Sequence, residues 1–279
     1  MLVDFMMIGA QKSGTTNLGA QLATHPDICF CDIKEPAFFN ETVNWQAGIE
    51  EYHQLYAPTE GQLCGEASTM YSFLPEHPGT HERLFEYNPD LKLIYIMRHP
   101  VNRIVSHYAH NFVRSIVKDA PDNAVFADPT YINRSRYGVQ IRPYLELFGH
   151  ENVLLLIFEE YIAEPDMTLQ QVSDFLQIDA AKFSSVDESA KHQSTGRTYL
   201  KYEAVRQFAS STLFQSARRF IPDAVRHPIR NRLSNQIEEK PEFSPELKRL
   251  IWRFVEDDVY EIETIIDRKL PIWREGYIQ

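Results

Sequence analysis

The chain opens on an extended apolar run that ends in a glycine turn and passes directly into an amphipathic helix, an order few folds accommodate. Leu2 to Ile8 is apolar except at Asp4, Gly9-Ala10-Gln11-Lys12-Ser13-Gly14-Thr15-Thr16 follows, and Leu18, Leu22 and Ala23 mark a helical stripe. Strand, glycine turn and helix N-terminus together make an anion cradle. Glycines let the backbone bend, N–H groups converge, and the helix dipole adds partial positive charge. Lys12 adds a full charge. The nucleoside-triphosphate loop, G-x-x-x-x-G-K-[ST], carries its lysine directly after the second glycine. Here Thr15 holds that position and the lysine lies at 12, so the glycine spacing is kept but the reach to a third phosphate is lost.

A second segment repeats the pattern. Leu93-Ile94-Tyr95-Ile96-Met97 is a continuous apolar strand running into Arg98-His99-Pro100, and helix-compatible sequence continues to Tyr108. Proline is favoured at the first position of a helix, so Pro100 marks strand, tight turn, helix. Arg98 then sits at the carboxyl end of a buried strand, where open α/β sheets bind ligands. Ser106 lies two helical turns on, and a guanidinium with a hydroxyl suits a phosphate. His99 and His107, which flank these residues, read as packing or hydrogen-bonding groups.

The rest alternates in the same way. Strands are expected at 2–8, 62–66, 92–98 and 152–158, and helices at 15–25, 48–56, 79–88, 100–116, 137–148, 165–176, 201–218 and 244–268. Continuous apolar strands between helices predict an α/β fold, one domain over 1–279 with a central parallel sheet flanked by helices. Segments 118–135 and 178–200 read as irregular; with 33–47 they are assigned to acceptor selection.

Several motifs resemble the sulfotransferases that use 3′-phosphoadenylyl sulfate (PAPS). Gly9 to Thr16 is similar to their 5′-phosphosulfate loop, and Arg98 to Ser106 to their 3′-phosphate segment. Lys34-Glu35-Pro36 with Phe38-Phe39, and Gly65-Glu66-Ala67-Ser68 with Tyr71, are similar to the heparan-sulfate and bacterial branch. Thr195-Gly196-Arg197 resembles that branch's late basic turn, and Asp257-Asp258-Val259-Tyr260 through Leu270 and Trp273 its closing helix. The resemblance implies a P-loop-like sulfotransferase fold and sulfuryl transfer from PAPS, with PAP as product and no metal required. Lys12 would act on the bridging and sulfuryl oxygens. Gln11, Ser13, Gly14, Thr15 and Thr16 would hold the 5′ end, and Arg98, Ser106 and Arg197 the 3′-phosphate. Glu35 matches the general base of heparan-type relatives, with Glu66 the second choice and His192 an outside candidate. Ala67 stands where the heparan-type pattern has lysine.

Bulk properties narrow the acceptor. The net charge of −11 speaks against nucleic acid and a long polyanionic glycan, and is compatible with a neutral or cationic small molecule. A specialised metabolite is therefore expected as acceptor, a cationic alkaloid among the candidates, with a carbohydrate as the alternative. A kinase-like phosphotransferase and a non-catalytic nucleotide-binding protein stay open as other classes; Thr15 in place of the loop lysine weighs against the first. No run nears the roughly 18 apolar residues of a membrane helix, and Asp4 interrupts the first apolar run. A cytoplasmic enzyme without membrane or nucleic-acid partners is expected, with homo-oligomerisation open. Cys29, Cys31 and Cys64 are too few for a disulfide framework and read as reduced thiols.

Overall fold

The computed structural model describes residues 2–40, 45–184, 198–200, 234–236 and 241–276. Five parallel strands form the centre: β1 (Phe5–Gly9), β2 (Ile28–Phe30), β3 (Leu63–Ala67), β4 (Lys92–Met97) and β5 (Val153–Ile157). Their order across the sheet is β2-β3-β1-β4-β5, which makes β1 and β4 adjacent and central. Alternate side chains of a strand face opposite sides. Met6 and Ile8 accordingly join Leu93, Tyr95 and Met97 in one apolar layer, while Phe5 and Met7 join Ile94, Ile96 and Leu156 in the other. A sheet buried on both faces between helices is the expected architecture. Gly65 lies opposite Phe5, and a Cβ there would sit 2.1 Å from the Phe5 ring.

Helices α1 (Thr15–Leu22), α2 (Ile49–His53), α3 (Thr80–Tyr87) and α4 (Pro100–Val113) fall where the periodicity put them. Segment 118–135 differs from expectation, since it contains α5 (Pro121–Ala127) and α6 (Thr130–Asn133). Its prolines do not break helices. Pro121 occupies the first helical turn and Pro129 the N-cap, where the missing N–H costs nothing. Helix α7 (Tyr137–Phe148) follows, then α8 (Phe158–Ala163) and α9 (Pro165–Leu176) after β5. Neither the three-residue edge strand β2 nor α8 was anticipated. Helix α10 (Pro245–Ile265) packs against α7 and α4, and the short α11 (Pro271–Arg274) follows. Residues 198–200 and 234–236 pair as two antiparallel strands. The helix expected at 201–218 lies outside the described residues. Among those residues, no helix is long and apolar enough to cross a membrane.

Candidate active site

Beyond β1 the chain turns under constraint from both sides. A Cβ on Gly9 would lie 2.3 Å from the Tyr95 ring and 2.5 Å from the Ser72 hydroxyl, so the strand leaves the sheet through a gap only glycine fits. The Ala10 N–H donates to the Ile96 carbonyl at 2.9 Å, which pins the loop to β4. Lys12 and Gly14 take the left-handed region at φ 73° and 89°. Gly14 caps α1 without any side-chain hydrogen bond, and a Cβ on it would meet the Phe158 ring at 2.8 Å. The opening N–H groups of α1 thus have no capping side chain, and an anion there would meet them together with the helix dipole.

Arg98 leaves the end of β4 beside this loop. Its Nη1 donates to the Lys12 carbonyl at 3.4 Å, and its guanidinium lies over the Phe158 ring at 4.9 Å. Its backbone is held too, for the Tyr137 hydroxyl donates to the Arg98 carbonyl at 2.6 Å. Burial lowers the Arg98 pKa from its ordinary value, with Glu159 opposing. Its Nε is buried without a hydrogen-bond partner. An orphaned guanidinium N–H is costly to bury unless an acceptor arrives, so this atom fits a phosphate oxygen. Next to it Glu159 ties the turn down, accepting from the His99 N–H at 2.9 Å and from Trp273 Nε1 at 3.0 Å.

Both elements open into one cleft of about 730 Å³. Gln11, Lys12, Gly14, Thr15, Thr16, Arg98, Ser106 and Glu35 all line it. Lys34, Thr69, His110, Arg114, Phe158 and Tyr161 line it as well. His110 lies 3.5 Å from Lys12 Nζ by its Nδ1 and 3.2 Å from Arg114 Nη1 by its Nε2. The lining carries four lysines and arginines against one carboxylate, so the local charge is opposite to the chain's acidic balance. The signal for His110 and Arg114 was present in the sequence: they follow Ser106 at i+4 and i+8, one face of α4. Phe158 and Tyr161 had a weaker signal, their place just past the carboxyl end of β5, beside β4.

Two of the sequence candidates sit elsewhere. Ser13 is fully buried beneath the loop, and its N–H donates to the Ala10 carbonyl at 3.2 Å, so it shapes the turn rather than lining the cleft. Glu66 is also fully buried and outside the cleft lining. Its Oε1 accepts from the hydroxyls of Tyr52 and Tyr71, both at 2.8 Å, and its Oε2 from Ser68 at 2.9 Å. Burial pushes its pKa up to about 6 against these three donors. Ser68 Oγ in turn accepts the Ala37 N–H at 2.9 Å. Glu66, the second choice for the base from sequence, therefore braces the segment that carries Glu35. Glu35, at φ 53°, accepts from the Thr69 hydroxyl at 3.2 Å.

His99 and His107 take the packing roles expected of them. His99 N-caps α4, accepting from the Asn102 N–H at 3.5 Å, and burial lowers its pKa to about 4. Burial also holds His107 well below its ordinary value, against the Tyr131 ring at 4.6 Å. In the closing helix, Asp258 accepts the N–H groups of Gly138 and Val139 at 3.0 and 3.2 Å, which caps α7. Arg197 and His192 lie outside the described residues.

Known proteins share this fold. A sulfotransferase from Alicyclobacillus acidocaldarius superposes with a TM-score of 0.70 at 23% identity, covering 99% of this chain and 100% of that one. Mouse sulfotransferase SULT7A1, solved in complex with PAP, superposes at 0.50 with 15% identity, over 98% of this chain and 88% of its own. Among curated proteins, mouse heparan sulfate glucosamine 3-O-sulfotransferase 3A1 is 30% identical over 190 residues, which are 63% of this chain. The chain spans about half the length of that relative, 46%. The sulfotransferase domain family matches from residue 2 to residue 261. The chain belongs to the sulfotransferase domain family.

Proposed function

We propose that this chain transfers a sulfuryl group from PAPS to a hydroxyl, or an amine or amide nitrogen, of a small-molecule acceptor, as one domain over 1–279. The observation that carries this reading is the joined pair of anion-holding elements. The uncapped start of α1 and the orphaned Arg98 Nε open on one cleft and touch through the Lys12 carbonyl. One element suits a 5′-phosphosulfate and the other a 3′-phosphate, and the PAP complex of SULT7A1 supports the same cofactor for this fold.

PAPS, when bound, supplies a sulfuryl group on a phosphate leaving group, and transfer resembles an in-line phosphoryl displacement. Gly14, Thr15 and Thr16 would hold the 5′-phosphate by backbone N–H and hydroxyl groups. Arg98 and Ser106 would hold the 3′-phosphate, with Arg197 a third ligand carried over from the family resemblance. Phe158, which carries the Arg98 guanidinium over its ring, would lie beside the nucleoside. Lys12 Nζ, directed into the cleft, would donate to the oxygens on which charge develops. Glu35 would take the proton from the acceptor, with Thr69 fixing its carboxylate.

A carbohydrate acceptor is the second reading. The heparan sulfate relative favours it, and so do Lys34 and Arg114 in the cleft wall, which suit acidic substituents. The same cationic lining weighs against a cationic alkaloid. The test is a panel of phenols, alcohols, amines and oligosaccharides incubated with PAPS and read by mass spectrometry. Gain of one sulfuryl mass together with PAP release supports the reading. PAPS turnover absent across the panel, with no PAP binding by calorimetry, would remove it.

A further inference from the structure

Gln11 lines the cleft, yet its side chain is gripped from behind. Arg134 Nη1 donates to Gln11 Oε1 at 3.3 Å. The guanidinium is itself held fast: its Nε donates to Glu76 Oε1 at 3.1 Å and its plane lies 3.6 Å over the Phe73 ring. Only 16% of the Arg134 side chain is exposed, and Arg134 is not among the cleft-lining residues.

The chemistry of the contact fixes the amide. A guanidinium carries donors and no acceptor, so only the oxygen of Gln11 can face it. The NH2 end has no protein partner among the described residues and is left for the cleft. The position of that donor is informative. Phe73 ends the short turn Thr69–Ser72, whose first residue holds Glu35. Gln11 directly precedes Lys12, and both line the cleft that also holds Glu35.

We propose that Arg134 is a positioning residue, which turns the Gln11 amide so that its NH2 donates to the oxygens of the transferred group. The inference rests on the sulfuryl-transfer reading. Gln11 then joins Lys12 as a second donor where negative charge gathers, and the Glu76–Arg134–Phe73 clamp sets its orientation before the ligand arrives. A fixed donor costs no reorganisation during the reaction, which is where its advantage lies.

Gln11→Glu separates this from a structural role. It keeps an oxygen towards Arg134 but replaces the inward donor by negative charge. Turnover should fall about 100-fold, the loss typical of an oxyanion donor, while thermal stability is held or raised. Arg134→Met should lower kcat about tenfold and leave KM for PAPS within about twofold, because only the transferring end is affected. Arg134→Lys, which keeps the charge and a donor for Gln11 but loses the fork and the stacking, should recover only part of that loss. In a Gln11→Met background, Arg134→Met should cost nothing more, since coupled residues are not additive.

Full turnover in Gln11→Glu, or equal losses from Arg134→Met in both backgrounds, would overturn the proposal. If Arg134→Met fails to fold, Gln11→Glu and Arg134→Lys decide alone. PAP calorimetry on the unaltered chain keeps the two readings apart. PAP binding with an additive cycle sinks only the role of Arg134, whereas no PAP binding sinks the sulfuryl-transfer reading and this one with it.

Discussion

Arg98 Nη1 donates to the carbonyl oxygen of Lys12 across 3.4 Å, so the end of β4 and the glycine loop after β1 form one unit. The contact uses a backbone atom of the loop's lysine, whose ammonium lies instead 3.5 Å from Nδ1 of the cleft residue His110. It also sets the separation between the two places where an anion would be held. A ligand with phosphates at both ends meets a spacing already fixed, which lowers the ordering cost of binding.

Arg98→Ala should therefore weaken PAP about 30-fold, in line with loss of charge-assisted hydrogen bonds. Adenosine 5′-phosphate, lacking the 3′ group, should lose only a few-fold. Arg98→Lys should restore little, since a lysine cannot make the bidentate contact. Calorimetric titration of both nucleotides checks this. Equal losses would take Arg98 off the 3′-phosphate.

Gly14→Ala tests the loop. The left-handed backbone alone should cost about 1–2 kcal/mol with a side chain present. The new methyl also meets the Phe158 ring, 2.8 Å from the Cβ position. Both stability and PAP affinity should drop, and the melting temperature with a PAP titration reads the two separately. An unchanged affinity would free the loop from its assigned role.

Glu35→Gln should lower turnover at least about 100-fold, the usual contribution of a positioned base, while PAP affinity stays near that of the unaltered chain. Thr69→Val, which removes the hydroxyl that orients Glu35, should give a smaller loss of the same kind. Steady-state rates with saturating PAPS are the measurement. A Glu35→Gln chain with full turnover would pass the base to another residue.

Glu66 makes a prediction about pH. Its carboxyl titrates near 6 in the folded chain against an ordinary 4.5, so the folded state binds its proton more tightly than the unfolded one. That share of stability is greatest below about 4.5, falls as pH rises to about 6, and is flat above. Such a shift corresponds to about 2 kcal/mol. Asp258, buried and raised to about 6 from 3.8, adds a trend of the same sign. Urea denaturation from pH 4 to 7 should show a shallower slope in Glu66→Gln. An unaltered slope would mean that Glu66 is not held this way.

What the sequence revealed follows a physical division. The loop and the Arg98–Ser106 segment were readable because buried parallel strands write continuous apolar runs, and glycine or proline marks where each one turns. Segment 118–135 misled because Pro121 and Pro129 begin helices, a role that composition alone does not separate from loop-making. Glu66 reads from sequence as the second choice for the base because no local pattern shows that its carboxylate is buried. Tyr52 approaches from α2 and Tyr71 from the turn after β3, and only the folded chain brings both hydroxyls to one carboxylate. Arg134 reaches Gln11 across 123 positions of sequence, a distance no local pattern spans.

The order β2-β3-β1-β4-β5 also divides labour across the sheet. The two elements that would grip the donor nucleotide spring from neighbouring inner strands, while Glu35 hangs from a segment that leaves the outermost one. An inner ribbon is locked by partners on both flanks; a rim tolerates insertion and exchange. Transplanting residues 32–40 from a relative with a different acceptor should thus retune substrate choice and spare the nucleotide grip, which makes this rim the natural handle for redesign.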